Sequence, residues 1–230
     1  LGAGFVFLLS LPAAYILMLA VLLQFLFGWS ILTGLILGTL VSTLYVLVGG
    51  FNSVVKTDVI QFLLMFVGFI VILGAAVWQY GGGDFLRHQV PATHFVWHGG
   101  NRPQYILVWY FIALSTLVDP SFYQRCFAAE NEKVARWGIV ISVGFWICFD
   151  FLTTFTGIYA RAILPHLENP MTSYLALGAE VLPPVALGLF ITGLMATIMS
   201  SIDSFTFLSA VTLGRDVLWR TLAQQDESRV

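Results

Sequence analysis

Residues 187–216 read LGLFITGLMATIMSSIDSFTFLSAVTLGRD, a long apolar run that carries hydroxyl groups and one carboxylate before its last two residues. On a helix turning 100° per residue, the polar residues of its middle part share about one third of the circumference. They are Thr197, Ser200, Ser201 and Ser204, with Asp203 beside them. Hydrocarbon cannot form hydrogen bonds with such groups, so the stripe should face protein or a water-filled cavity. An ionisable residue in that position is a functional candidate.

The composition of the whole chain indicates which class of protein contains this stretch. Hydrophobic residues make up 59% of the 230 residues and charged residues only 10%, whereas about a quarter of a soluble domain is charged. We therefore predict an all-α integral membrane protein surrounded by the lipid bilayer, with no nucleic-acid partner. Cys126 and Cys148 lie in or beside apolar segments, and neither a disulfide framework nor a metal-binding spacing is indicated.

Six apolar segments are predicted to be transmembrane helices. They cover residues 1–27, 31–48, 59–78, 105–118, 137–159 and the stretch from Pro184 through the hydroxyl stripe. Gly49 and Gly50 should end the second helix, and the polar residues 52–58 should lead into the third. A short interfacial helix is expected at residues 172–182. Gly34 and Gly38 have the spacing of small residues at close helix contacts in membranes.

The fourth segment is interrupted at Asp119-Pro120 and resumes as SFYQRCFAA. Proline removes a backbone donor and restricts the preceding residue, so a break is expected there. Interrupted helices at membrane depth often mark transporter binding sites. Alternatively, Asp119 caps a new helix at the cytoplasmic interface, with proline in its favoured first position. The sequence leaves both interpretations open.

The basic residues predict the orientation of the chain. Seven of the ten fall on one set of helix ends: Lys56, Arg125, Lys133, Arg136, Arg215, Arg220 and Arg229. The positive-inside rule places these ends, and with six helices both termini, in the cytoplasm. The opposite loop, residues 79–103, holds His88, His94 and His98, whose spacing matches no metal motif and favours a surface loop.

Three segments resemble consecutive signature regions of the sodium/solute symporter family. They are GGFNSVVKTDVIQFLLMFVGFIVILG, DPSFYQRCFAAENEKVAR and the C-terminal helix from Gly188 to Asp216. The resemblance implies an inverted-repeat transporter with a ten-helix core. The six predicted helices then correspond to core helices three to eight. Residues 1–230 would form a single transmembrane domain that is incomplete at both ends.

The resemblance also implies two ion sites. The sodium site of the family maps onto Thr197, Ser200 and Ser201, and hydroxyl and carbonyl oxygens suit a hard cation. A second cation or proton site maps onto Asp58, Asp203 and Ser204. Sodium is the expected coupling ion, and no other metal or cofactor is expected. Two alternatives stay open: the serine stripe could serve packing alone, and Asp58 could be an N-cap.

The same resemblance places a substrate cavity along the interrupted fourth helix. The positions that contact sugar in one branch of the family carry Ser115 and Thr116 here, so a sugar is not supported. Trp109, Tyr110 and Asp119 complete the candidate set. The solute stays open among small organic molecules and anions. Asp150, near the middle of the fifth helix, could serve an ion or proton role or form an interhelical hydrogen bond.

These observations predict a secondary active transporter, located in the plasma or inner membrane, that uses a sodium or proton gradient to take up a solute by alternating access. An alternative is a symporter-like sensor module attached to a signalling domain. An enzyme is not expected, because the chain has no HExxH or GxSxG motif, and Asp58 and Asp203 lack the partners that a known chemistry would need.

Overall fold

The computed structural model describes residues 11–219 together with Gly2 and Gly4, and this part of the chain is helical. The helices are α1 (Ala13–Phe27), α2 (Ile31–Tyr80), α3 (Gly83–Gln89), α4 (Pro103–Ala113), α5 (Pro120–Phe127), α6 (Glu132–Ile163), α7 (Ser173–Val181) and α8 (Pro184–Val211). Short 3₁₀ turns at Ala92–Phe95, Leu114–Val118 and Pro170–Thr172 connect them, and a π-helix, Thr212–Trp219, follows α8.

Five stretches of the described chain are long and apolar enough to cross a membrane. They are Ile31–Val48, Gly50–Tyr80, Pro103–Phe127, Glu132–Ile163 and Pro184–Trp219. These correspond to the second to sixth predicted helices, and the protein is an all-α integral membrane protein. The first predicted helix covered residues 1–27, and most of residues 1–10 lie outside the described part of the chain. Its remaining residues contain the shorter apolar helix α1.

Helix α2 contains the break that the glycine pair predicted. Gly50 has φ 57° and ψ −161°, which separates Ile31–Val48, here α2a, from Gly50–Tyr80, here α2b. Positive φ is accessible to glycine without the Cβ penalty, so the chain can turn here. The prediction that the third helix begins at Val59 was wrong, because the polar residues 52–58 before it are already helical. The Thr57 hydroxyl donates to the carbonyls of Ser53 and Val54 and so needs no other partner.

The chain divides into two compact units. The first comprises the described residues of Leu1–Leu63 and Leu194–Val230, and the second comprises Leu64–Gly193. In the first unit, α1 packs closely on α2a. A Cβ on Gly34 would lie 2.9 Å from the Ala20 Cα, and one on Gly38 would lie 2.8 Å from a Leu19 methyl. The predicted close-packing role of both glycines is confirmed.

The second unit has an aromatic core around Phe69. Its ring lies 5.2 Å from Phe149, 5.3 Å from Tyr174 and 5.6 Å from Phe190, each in an edge-to-face arrangement. Burial raises the pKa of the Tyr174 hydroxyl, which donates to the Thr153 carbonyl at 3.2 Å. In the same unit, the predicted interfacial helix is present as α7, and the Gln79 amide donates to the Val181 carbonyl at its end.

Candidate functional site

Two antiparallel helices of the first unit carry the predicted ion-binding residues. Near its start, α2b contacts α8 through Phe51 and Phe207, whose ring centroids are 5.4 Å apart. Seven residues further along α2b, Asp58 contacts Ser200, which lies seven residues earlier on α8. The equal steps in opposite directions fix the register of the two helices.

The contact between Asp58 and Ser200 is a short hydrogen bond. The Ser200 hydroxyl donates to Asp58 Oδ1 at 2.6 Å, and both residues are half-buried. Hydrogen bonds to an ionised acceptor are shorter and stronger than neutral ones. The two predicted ion sites are therefore in direct contact. Asp58, predicted for the second cation or proton site, forms a hydrogen bond with Ser200, predicted for the sodium site.

Ser201 and Thr197 interact within α8. The Ser201 hydroxyl lies 3.5 Å from the Thr197 carbonyl, at the upper limit for a hydrogen bond. Ser201 lies about 100° around the helix from Ser200, so the two adjacent hydroxyls do not face α2b together. Ser204, one turn beyond Ser200, lies on the side of α8 that faces α2b.

Asp203 is completely buried, with 0% exposure. Neither of its carboxylate oxygens accepts a hydrogen bond from the described residues. Asp203 lies about 60° around α8 from Ser200. Buried carboxylates normally have hydrogen-bonding or ionic partners, so two oxygens of this kind are suited to a bound cation or a proton.

A residue that the sequence interpretation missed lies beside these groups. Gln61 is one turn beyond Asp58 on α2b, and its side-chain carbonyl oxygen is buried without a hydrogen-bonding partner among the described residues. We call Asp58, Gln61, Thr197, Ser200 and Ser204 the polar seam. The available signal for Gln61 was an amide within the apolar run that follows Asp58.

The second unit holds a cavity of about 610 Å³ that contains two of the predicted solute residues, Trp109 and Tyr110. The loop before α4 contributes Trp97, His98 and Asn101 to its wall. The Gly100 amide donates to His98 Nδ1 at 3.0 Å, so a neutral His98 carries its proton on Nε2. Aromatic faces and neutral polar groups are typical of pockets for organic molecules.

The other predicted solute residues do not line this cavity. Ser115 and Thr116 lie in the 3₁₀ turn after α4. Asp119 is the N-cap of α5, and its Oδ1 accepts hydrogen bonds from the Ser121 amide at 2.8 Å and the Ser121 hydroxyl at 2.6 Å. The fourth segment is thus interrupted before Pro120, as one interpretation of the sequence predicted. Asp119 also caps the helix that follows, as the alternative interpretation predicted.

Asp150 lies within the candidate span Glu132–Ile163 and is exposed. The Thr153 hydroxyl contacts the backbone carbonyl of Asp150 at 3.2 Å. An exposed carboxylate within an apolar span remains a candidate for an interaction, and its role stays a prediction.

Comparison with known proteins decides the family. The model of the sodium:solute symporter family matches residues 3–229. This chain belongs to that family. The predicted resemblance is confirmed, and the family is one of symporters rather than enzymes.

The symporter relatives of this chain are distant and longer. It is 28% identical over 210 residues to the sodium/pantothenate symporter of Escherichia coli (strain K12), covering 86% of this chain and 43% of that protein. It is 26% identical over 215 residues to the high-affinity proline transporter PutP of Bacillus subtilis (strain 168), covering 90% of this chain and 45% of the relative. It is also 26% identical over 247 residues to sodium/glucose cotransporter 4 of Mus musculus, and the match covers 90% of this chain and 36% of that protein.

The chain therefore spans less than half the length of each of these relatives. No solved structure matches it significantly. The family membership rests on the sequence match along almost the whole chain, and the relatives differ in the solutes that their names give.

Proposed function

We propose that the protein containing this chain is a symporter that couples sodium entry to uptake of a small organic solute or anion. The observation that carries the proposal is the hydrogen bond between Asp58 and Ser200, which joins carboxylate and hydroxyl oxygens across two antiparallel helices. Such oxygens are suitable ligands for a hard cation. The relatives named sodium/pantothenate symporter and sodium/glucose cotransporter 4 support sodium as the ion.

In this proposal, Thr197, Ser200 and Ser201 bind sodium. Asp58, Asp203 and Ser204 form a second site for a cation or a proton, to which the buried carboxylate of Asp203 contributes. Ion binding drives transport only if the ion has different affinities for the outward-open and inward-open states. We infer that the cation favours the outward-open state and thereby prepares the protein for the solute.

The cavity beside α4 is the proposed place where solute approaches, with Trp109 and Tyr110 as contact residues. Ser115, Thr116 and Asp119 would line the deeper part of the solute pathway. Both ends of the chain are proposed to face the cytoplasm, which is supported by the excess of basic residues at one set of helix ends.

The test is the double variant Ser200→Ala/Ser201→Ala in the full-length protein. Each substitution removes one hydroxyl and little volume, so folding should be affected much less than ion binding. Uptake of radiolabelled pantothenate, proline and glucose is measured first, and the solute that is transported is used to titrate sodium. We expect the half-saturating sodium concentration to rise at least about tenfold, the equivalent of about 1.4 kcal/mol.

Ser142→Ala is the matched control, because the Ser142 hydroxyl is exposed and donates to the Gly138 carbonyl of its own helix. Its sodium dependence should equal that of the wild type at equal expression. If the double variant also titrates like the wild type, the hydroxyl stripe serves packing and the proposed sodium site is wrong.

A further inference from the structure

Asp150 places a carboxylate within the apolar span Glu132–Ile163, and its side chain is exposed. Within the described part of the chain, no hydrogen bond or ion pair involves this carboxylate, and the Thr153 hydroxyl contacts the Asp150 backbone carbonyl instead. Ionisable residues in membrane spans are costly against lipid and usually mark substrate or ion pathways. Asp150 is therefore expected to face such a pathway.

The neighbours of Asp150 on its own side of α6 indicate where this pathway lies. Residues one turn apart share a side of a helix, so Asp150 lies between Trp146 and Thr154, about 6 Å along the helix from each. Thr154 lines the aromatic cavity, as does Ile158 one turn further on. Trp146 packs edge-to-face on Phe122 of α5, with ring centroids 5.3 Å apart. Asp150 thus lies one turn beyond the cavity, between the cavity wall and the contact with α5.

The interruption of the fourth segment lies at the same level of α6. Ala113, at the end of α4, lines the cavity, and Phe122 contacts Trp146. The chain between Ala113 and Phe122 contains the 3₁₀ turn Leu114–Val118 and the start of α5. Because the two ends of this stretch lie at levels on either side of Asp150, a solute that moves from the cavity along the interruption reaches the Asp150 carboxylate.

The lining of the cavity indicates which solutes are suited to this path. Four aromatic side chains contribute to the wall, and none of the lining residues in the described part of the chain is an acid, a lysine or an arginine. The aromatic residues are Trp97, Tyr105, Trp109 and Tyr110. The faces of tryptophan and tyrosine attract organic ammonium groups, and aromatic walls recognise such ligands in other proteins. A carboxylate beyond these faces supplies the opposite charge.

We propose that Asp150 binds the solute and that this solute carries an ammonium group, which passes the aromatic cavity and pairs with the Asp150 carboxylate. This inference rests on the proposed symport function and assigns its solute to a chemical class. An inorganic cation is less suited to this position, because hard cations take several oxygen ligands. The neighbours of Asp150 on its side of α6 supply one indole and one hydroxyl. An ammonium group can pair with a single carboxylate and contact aromatic faces.

The first experiment measures equilibrium binding of labelled compounds to the purified full-length protein by dialysis. Proline and benzylammonium carry an ammonium group, whereas pantothenate, glucose and benzyl alcohol carry none. Benzyl alcohol is the matched probe for benzylammonium, because it keeps the ring and lacks the charge. At least one ammonium compound should bind saturably, with a dissociation constant at least about tenfold below those of the uncharged and anionic compounds. If neither ammonium compound binds more tightly than these, the inference is wrong.

The second experiment repeats the binding measurement with variants of Asp150. Asp150→Asn keeps the shape of the side chain and removes its charge, so the dissociation constant of the ammonium compound should rise at least about tenfold. Asp150→Glu keeps the charge and should bind the compound at least about fivefold more tightly than Asp150→Asn. Glu132→Gln is the matched control, because Glu132 is an exposed acid of the same helix that pairs with Arg136 at 3.2 Å. Its dissociation constant should stay within about twofold of the wild type.

A purely structural role for Asp150 predicts a lower unfolding temperature for Asp150→Asn and unchanged affinity in the folded protein. Equal affinity for the ammonium compound in the wild type and in folded Asp150→Asn, or in the Asn and Glu variants, would overturn the inference. Sodium-driven uptake of pantothenate or glucose without binding of an ammonium compound would also overturn it and leave the symport proposal standing. Asp150-dependent binding of an ammonium compound, without sodium-driven uptake of any compound tested, would instead contradict the symport proposal and leave the binding site standing.

Discussion

The polar seam and the aromatic cavity contain the residues proposed for the ion and for the solute, and they differ in how far the chain encloses them. Asp203, beside the seam, has no exposed surface, and the Gln61 carbonyl oxygen is also buried. In the cavity, Trp109 is 57% exposed and Tyr110 is 69% exposed. The groups proposed for the ion are thus enclosed by the described residues, whereas the groups proposed for the solute present open surfaces.

The close packing of α2b against α8 can be tested at Gly193, where the backbones of the two helices approach one another within the second unit. A Cβ on Gly193 would lie 2.7 Å from the Leu64 carbonyl oxygen, so Gly193→Ala must push the helices apart. We expect a loss of about 1–3 kcal/mol in the free energy of unfolding, the usual cost of overpacking. Thermal unfolding of the full-length protein in detergent measures this effect.

Gly188→Ala is the control on the same helix, because nothing lies within 4 Å of the added methyl group. It should be neutral or slightly stabilising, since alanine has the higher helix propensity. Equal unfolding temperatures for the two variants would show that the helix pair is looser than this contact indicates.

The open region is tested by Trp109→Ala, which removes the largest aromatic face that α4 gives to the cavity. If solute contacts this face, the half-saturating solute concentration should rise about tenfold, because a stacked aromatic contact with its buried area is worth roughly 1–2 kcal/mol. The half-saturating sodium concentration should stay unchanged. Trp78→Ala is the control, because Trp78 is 85% exposed at the end of α2b and does not line the cavity. A solute dependence unaffected in both variants would remove Trp109 from the solute pathway.

Asp203 gives the smallest expected effect on uptake itself. Asp203→Asn keeps the shape of the side chain and removes one charge, and Asp203→Thr replaces it with a neutral hydroxyl. Both should change the charge moved per solute, or the pH dependence of uptake, while sodium still activates through Ser200 and Ser201. Simultaneous recording of current and radiolabelled uptake in proteoliposomes measures the charge ratio. Asp84→Asn, on an exposed acid of α3, serves as the control. A wild-type charge ratio and pH profile in both Asp203 variants would make Asp203 a structural residue.

Much of the fold was predictable because its signals are local. The Gly50 break, the interruption before Pro120 and the start of α8 at Pro184 all follow from the backbone restrictions of glycine and proline. The start of the third helix was predicted too late. The apolar run was used to place its start at Val59, but polar residues can also be helical, because a hydroxyl such as that of Thr57 can be satisfied within its own helix.

The candidate site was less predictable, because it depends on which sides of two distant segments meet. The hydroxyl stripe and Asp58 could be selected from residue type and family resemblance, but we expected Asp58 to approach Asp203. The structure shows in addition a hydrogen bond between Asp58 and Ser200, which that grouping did not include. Gln61 was not selected because a single amide in an apolar run gives no indication of its partner. The burial of its oxygen and its place on α2b opposite α8 are visible only in the structure.

The hydrogen bond from Ser200 to Asp58 makes the serine proton a competitor of a cation for one lone pair of Asp58 Oδ1. A cation that takes this lone pair requires the hydroxyl to rotate its proton away from Asp58, while the lone pairs of the hydroxyl itself stay available to the ion. The serine hydroxyl is covalently attached to the helix, so its effective concentration at Asp58 does not change with the ion concentration of the solution. Giving up a hydrogen bond to a charged group costs about 1.5–3 kcal/mol, equivalent to about a ten- to hundredfold weaker ion affinity. The same proton also favours release of the ion, because the hydrogen bond to Asp58 forms again as the ion leaves.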